Sequence, residues 1–110
     1  MDDNIKRIYV PMTETAFYIL LSLQEEMHGY NIVQKVSDMT NKEIIISAGT
    51  MYGTLSKMEK DALIKQSKEE GKRKYYISTS LGSKILQIEI QRIARLYKNS
   101  KGEIYYGNKT

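Results

Sequence analysis

The side chains with chemistry to offer are few in kind. The chain has one histidine, His28, and no cysteine. Thiolate metal sites, cysteine nucleophiles and disulfide scaffolds are therefore excluded, and one chain cannot assemble a multi-histidine metal centre. No serine or carboxylate is spaced from His28 as a catalytic triad requires, so His28 reads as structural, at the tight turn that Gly29 allows. Hydrogen-bond donors and positive charge are plentiful instead. SAGTMYGTLSKMEKDALI carries Ser47, Thr50, Gly53, Thr54 and Lys57, and KEEGKRKYY clusters Lys72, Arg73 and Lys74 after Gly71. Such groups hold oxyanions and the edges of bases; they do not make or break bonds. The expectation is a binding protein without catalysis, metal or cofactor.

These groups need elements to carry them. Thr13 can cap a helix with Ala16, Phe17, Leu20 and Leu23 on its apolar side, just after Pro11. A second helix follows His28 and Gly29, with Ile32, Val33, Val36 and Met39 on one face and Asn31, Gln34, Lys35 and Asp38 on the other. The β-branched triplet Ile44 to Ile46 is too short for a helix and reads as a strand or extended link. Ser47 caps a third helix, in which Met51, Leu55 and Met58 repeat at helical spacing. Residues 63–68 and 74–78 read as two strands joined by a turn centred on Glu70 and Gly71. A long helix begins at Ser80, apolar on two sides: Leu81, Ile85, Ile88 and Leu96 on one, Leu86, Ile90, Ile93 and Tyr97 on the other.

The third helix keeps Gly49 and Gly53 in its first turns, although an interior glycine costs about 1 kcal/mol against alanine. With Ala48, Met51, Tyr52, Leu55 and Met58 inward, the glycines share the opposite side with Thr50, Thr54 and Lys57. That face is low and hydroxyl-bearing, and suits close approach to a nucleic-acid groove. The competing explanation is close packing against another helix. Position speaks for the first, because the basic turn of Lys72, Arg73 and Lys74 follows directly and strands give it a rigid base for phosphate contact.

Composition agrees. At 110 residues the chain fits one domain, with a formal net charge of +4 and a pI near 9.2. Between Lys65 and Lys74 there are five basic residues and two acidic ones. No apolar run approaches the roughly 20 residues that span a bilayer, and MDDNIKRIYV lacks the order of a signal peptide. A cytoplasmic protein with no membrane partner is expected.

Helix, helix, short strand, helix, basic hairpin and long helix is the order of a winged helix-turn-helix, mainly α with a two-stranded wing. TETAFYILLSL, HGYNIVQKV, SAGTMYGTLSKMEKDALI and GKRKYYIST followed by LG resemble, in order and spacing, the PadR family of transcriptional regulators over about residues 12–97. The chain departs from the family pattern at Gly53, where proline is common, and at Ala62, where glycine is usual. The resemblance implies a homodimer that binds operator DNA, usually as a repressor. Residues 12–79 would form the winged helix, 80–98 the dimerisation helix and 99–110 a frayed tail. Tyr30, Ser47, Thr50, Gly53, Thr54, Lys57, Lys72, Arg73 and Lys74 are the expected DNA contacts. Ile5, Ile8, Ile85, Ile88, Ile90, Ile93, Leu96 and Tyr97 are the expected dimer contacts. Drug-sensing relatives stack planar compounds on a tryptophan that this chain lacks; a small-molecule effector between subunits stays open. So does a protein-interaction adaptor in which the basic wing is incidental.

Overall fold

Four helices start where a side chain takes up an unpaired backbone N–H, each cap being worth about 1 kcal/mol. In the computed structural model, which describes residues 3–107, Thr13 Oγ1 accepts from the N–H of Ala16 at 3.1 Å and begins α2 (Glu14–Ser22). His28 Nδ1 accepts from Asn31 at 3.3 Å and begins α3 (Gly29–Met39). Ser47 Oγ does the same for Thr50 at 3.3 Å, opening α4 (Ala48–Lys60). Thr79 Oγ1 accepts from Gly82 at 3.1 Å, opening α5 (Ser80–Ser100). A short first helix, α1 (Asp3–Tyr9), precedes these. Its seven residues are mostly polar and gave no helical signal.

The wing is the antiparallel pair β2 (Ile64–Glu70) and β3 (Arg73–Ser78). Both strands run further into the turn than expected, and Gly71 turns the chain at a φ of +61°. A register shift between Gln66 and Lys68 marks a bulge. The sheet has a third strand that the sequence did not suggest, β1 (Met27–His28), paired antiparallel with β3 so that the order is β1-β3-β2. Two residues carry no periodicity; only pairing makes them a strand. Ile44 to Ile46 form no strand and remain an extended link.

The core gathers Ile19, Leu20 and Leu23 of the first capped helix, Ile32 and Val36, Met51, Leu55 and Met58, Leu63 and Ile64, and Ile85 and Leu86. These lie on the faces the spacing predicted, with three corrections. Ala48 and Tyr52, expected inward on α4, are exposed, since the buried stripe is only as wide as Met51, Leu55 and Met58. Met39 is also exposed. Ile85, expected at a subunit interface, is buried in its own chain's core and presents no surface.

α5 is held at both ends of its packed half. Thr79 Oγ1 donates to the carbonyl of Ala62 at 2.6 Å, and the N–H of Thr79 donates to Leu63 at 2.9 Å. Lower down, Glu89 is fully buried; its carboxylate accepts from the Met12 N–H and from Arg92. The bond from Met12 joins α5 to the segment entering α2, next to the cis Val10–Pro11 bond. Past this point α5 leaves the core, and Ile93, Leu96 and Tyr97 are exposed. Within the segment expected to fray, Gly102, at a φ of +80°, closes the helix with its N–H on Asn99 O and the N–H of Glu103 on Lys98 O, both at 3.0 Å. Residues 108–110 of that segment lie outside the described part.

Candidate nucleic-acid interface

The outward side of α4 is open ground. A Cβ built on Gly49 or Gly53 meets nothing within 4 Å. Close helix packing therefore does not explain these glycines; they lower a solvent-facing surface. Ser47 and Thr50 stand at the start of this face, and their hydroxyls are bonded to each other at 3.0 Å. Both side chains are exposed; each keeps one lone pair for an outside donor, and Thr50 also keeps its O–H to donate.

The remaining expected contacts fall on two flanks. Toward α1 and α2, Gly53, Thr54 and Lys57 border a cleft of about 280 Å³ walled by Ile8, Pro11 and Met12. Thr54 is half-buried there, and Lys57 Nζ sits 5.5 Å from the centre of the Tyr9 ring. Tyr9 is itself fixed, its hydroxyl donating to Asp61 Oδ2 at 2.7 Å across the end of α4. Burial first, then the bond to Asp61, pushes the Tyr9 phenol well above its ordinary range, so it stays a neutral donor.

Toward the wing, a second cleft of about 360 Å³ lies between α4 and β3. Tyr30, Lys72, Arg73 and Lys74 line it, as expected for a wing beside a helix. Tyr52, Ser56 and His28 line it too, and the sequence reading placed none of them there. Tyr52 and Ser56 are four apart on one flank of α4, a spacing that could have shown them together. The Tyr52 ring covers Gly29, where a Cβ would stand 3.2 Å from its edge. Tyr76, at the base of the cleft, has its phenol pushed up by burial, then by the Glu59 carboxylate and Tyr52.

Among the described residues, charge compensation separates these cations from four that are paired, though Lys60, Lys65 and several others are likewise in no ion pair. Lys68 lies 3.1 Å from Glu70 and 3.6 Å from Glu26, over the Tyr75 ring, and so braces the wing. Hydrogen bonding to Glu70, chiefly, pushes its pKa up. Lys35, Arg92 and Lys101 pair with Glu25, Glu89 and Glu103. Among the described residues, none of Lys57, Lys72, Arg73 and Lys74 is in an ion pair, and all four are exposed. An unpaired group of cations on both sides of a low helix face is suited to a polyanion that lies along it.

The described residues contain no group of three or more histidines and carboxylates able to hold a metal ion, and no helix long and apolar enough to cross a membrane.

Comparison with known proteins points the same way. The profile of the transcriptional regulator PadR-like family matches residues 19–88. An uncharacterized protein of Lysinibacillus sphaericus is 37% identical over 75 residues, covering 64% of this chain and 69% of that protein. The transcriptional regulator YqjI of Escherichia coli is 24% identical over 78 residues, 71% of this chain but only 38% of the regulator's length. Among solved structures, a transcriptional regulator from Clostridium thermocellum aligns over 96% of this chain and 99% of its own, with a TM-score of 0.70 at 23% identity. A PadR-like regulator from Bacillus cereus aligns over 80% and 88%, with a TM-score of 0.68 at 25% identity.

Proposed function

Because the chain belongs to the PadR-like family of transcriptional regulators, we propose that it is a cytoplasmic, homodimeric repressor that binds a pseudo-palindromic DNA operator. Residues 12–79 act as the DNA-binding winged helix and 80–98 as the dimerisation helix. The carrying observation is the open glycine and threonine face of α4 flanked by cations that no carboxylate compensates. Ser47, Thr50, Gly53 and Thr54 approach base edges in the major groove; Tyr30, Lys57, Lys72, Arg73 and Lys74 meet phosphates and fix the register.

Pairing two copies supplies symmetric half-sites. The exposed set Ile8, Ile93, Leu96 and Tyr97 supports pairing, with half-buried Ile5, Ile88 and Ile90 at its margin. Replacing Leu96 by aspartate should yield monomers in analytical ultracentrifugation, while an unchanged sedimentation coefficient rules this face out as the interface. A small molecule held between subunits would release the operator by altering the spacing of the two α4 helices.

Retardation of the gene's own upstream DNA tests the central reading. Replacing Arg73 and Lys74 together by alanine should weaken binding to every sequence and reduce the salt slope by about 1.8, since each phosphate contact contributes about 0.9. A wild-type protein that retards no DNA at any salt concentration would instead be an adaptor for another protein.

A further inference from the structure

Two hydrogen-bond donors in the wing-side cleft face each other without an acceptor between them. His28 Nδ1 accepts from the Asn31 N–H at 3.3 Å. A ring nitrogen that accepts holds a lone pair, so the neutral imidazole carries its proton on Nε2. Nε2 lies 3.4 Å from Arg73 Nη1, and a guanidinium accepts nothing. The other tautomer would satisfy Arg73 but turn an N–H against the N–H of Asn31 and uncap α3. Protonation would set donors against donors at both nitrogens. Tyr75 meets the ring edge-on at 5.1 Å and Tyr30 stacks on it at 6.4 Å, so both rings brace its plane. His28 is only 5% exposed, and what it exposes borders the wing-side cleft.

We propose that His28 Nε2–H and the Arg73 guanidinium form a seat for one non-bridging phosphate oxygen of the DNA backbone. Donors 3.4 Å apart can both reach one oxygen at about 2.8 Å. The oxygen must be an acceptor of negative charge, because Arg73 is permanently cationic and Lys72 and Lys74 line the same cleft. Tyr52 and Ser56, on the opposite wall, offer hydroxyls to the other oxygens of the group. His28 thereby has two roles at once: Nδ1 caps α3 and Nε2 binds phosphate. The inference rests on the DNA-binding reading and adds to it a residue that sequence reasoning assigned to structure alone.

The chain has a single histidine, so its ring resonances are unambiguous. Nitrogen-15 NMR of the free protein should show the Nε2–H tautomer, and a short nonspecific duplex at low salt should move the Nε2–H proton downfield. An Nδ1–H tautomer, or no shift with either the duplex or inorganic phosphate, overturns the seat. A shift with inorganic phosphate but not with bound duplex overturns the backbone assignment and leaves a free phosphate anion only.

Affinity separates the two roles. Asparagine caps helices well, so His28→Asn keeps α3 and removes only the reach into the cleft. It should weaken duplex binding about tenfold with an unchanged salt slope, since a neutral donor releases no counterion. Arg73→Gln should lower the slope by about 0.9. His28→Asn binding as tightly as wild type overturns the inference even where the wild type binds DNA. A wild type that binds no duplex at low salt overturns the DNA reading itself, and the phosphate titration then decides the seat alone.

Discussion

A Cβ on Gly82 would stand 2.1 Å from the carbonyl oxygen of Leu63 and 2.7 Å from the Ser78 hydroxyl. The first turn of α5 is thus pressed onto the start of β2, where Thr79 also bonds the Ala62 and Leu63 carbonyls. Gly82→Ala should lower stability by about 3 kcal/mol, as overpacking against backbone does, read as a shift in the urea midpoint. A loss near zero would mean that α5 can back away freely.

Ala62, just after α4, sits at a φ of +63°, a left-handed conformation that costs a side chain about 1 kcal/mol or more. Ala62→Gly removes that strain and adds some chain entropy to the unfolded state. The net expectation is a gain of roughly 0.5 kcal/mol, with a correspondingly higher thermal midpoint.

The caps at Thr13 and Ser47 were legible because a helix start announces itself in one side chain and its local partner. The stripe of Met51, Leu55 and Met58 was legible because burial follows helical spacing. β1 was not: Met27 and His28 become a strand only by meeting Tyr76 and Tyr75, nearly fifty positions away. Tyr52 was misplaced because apolar character predicted burial, whereas its ring covers Gly29 with most of its surface in solvent. The site was readable in its cations and in its small residues. Which cations stay uncompensated was not, since that depends on where Glu26, Glu70, Glu89 and Glu103 fold.

His28 has its pKa lowered, by burial first and by the Arg73 charge second. The unfolded chain therefore binds a proton near the ordinary 6.5 that the folded chain resists. The stability this contributes is complete above about pH 6.5 and falls away as pH drops from there toward the lowered folded value. Urea midpoints between neutral pH and mild acid should fall for the wild type, and His28→Asn should flatten that part of the curve. An equal slope in both proteins would place the proton uptake elsewhere.

Glu89 is a buried carboxylate on which two elements depend. Glu89→Ala leaves the Met12 N–H without an acceptor and Arg92 without a counter-charge. It should cost about 2 kcal/mol, chiefly because the part-buried Met12 N–H loses its acceptor, since Arg92 is partly exposed and can be solvated. Glu89→Gln retains an acceptor and should lose less. Circular dichroism during denaturation distinguishes the two, and equal losses would assign the whole effect to charge.

The two residues of β1 have a mechanical consequence. β1 is bonded along its length to β3, and α3 begins at the next residue, so wing and helix-turn-helix form one stiff frame. The distance from Arg73 to the open face of α4 is then a fixed gauge. On the proposed function, a duplex whose grooves do not match that gauge has to bend or widen to be gripped. Sequences that deform readily would be favoured even at base pairs the protein never touches.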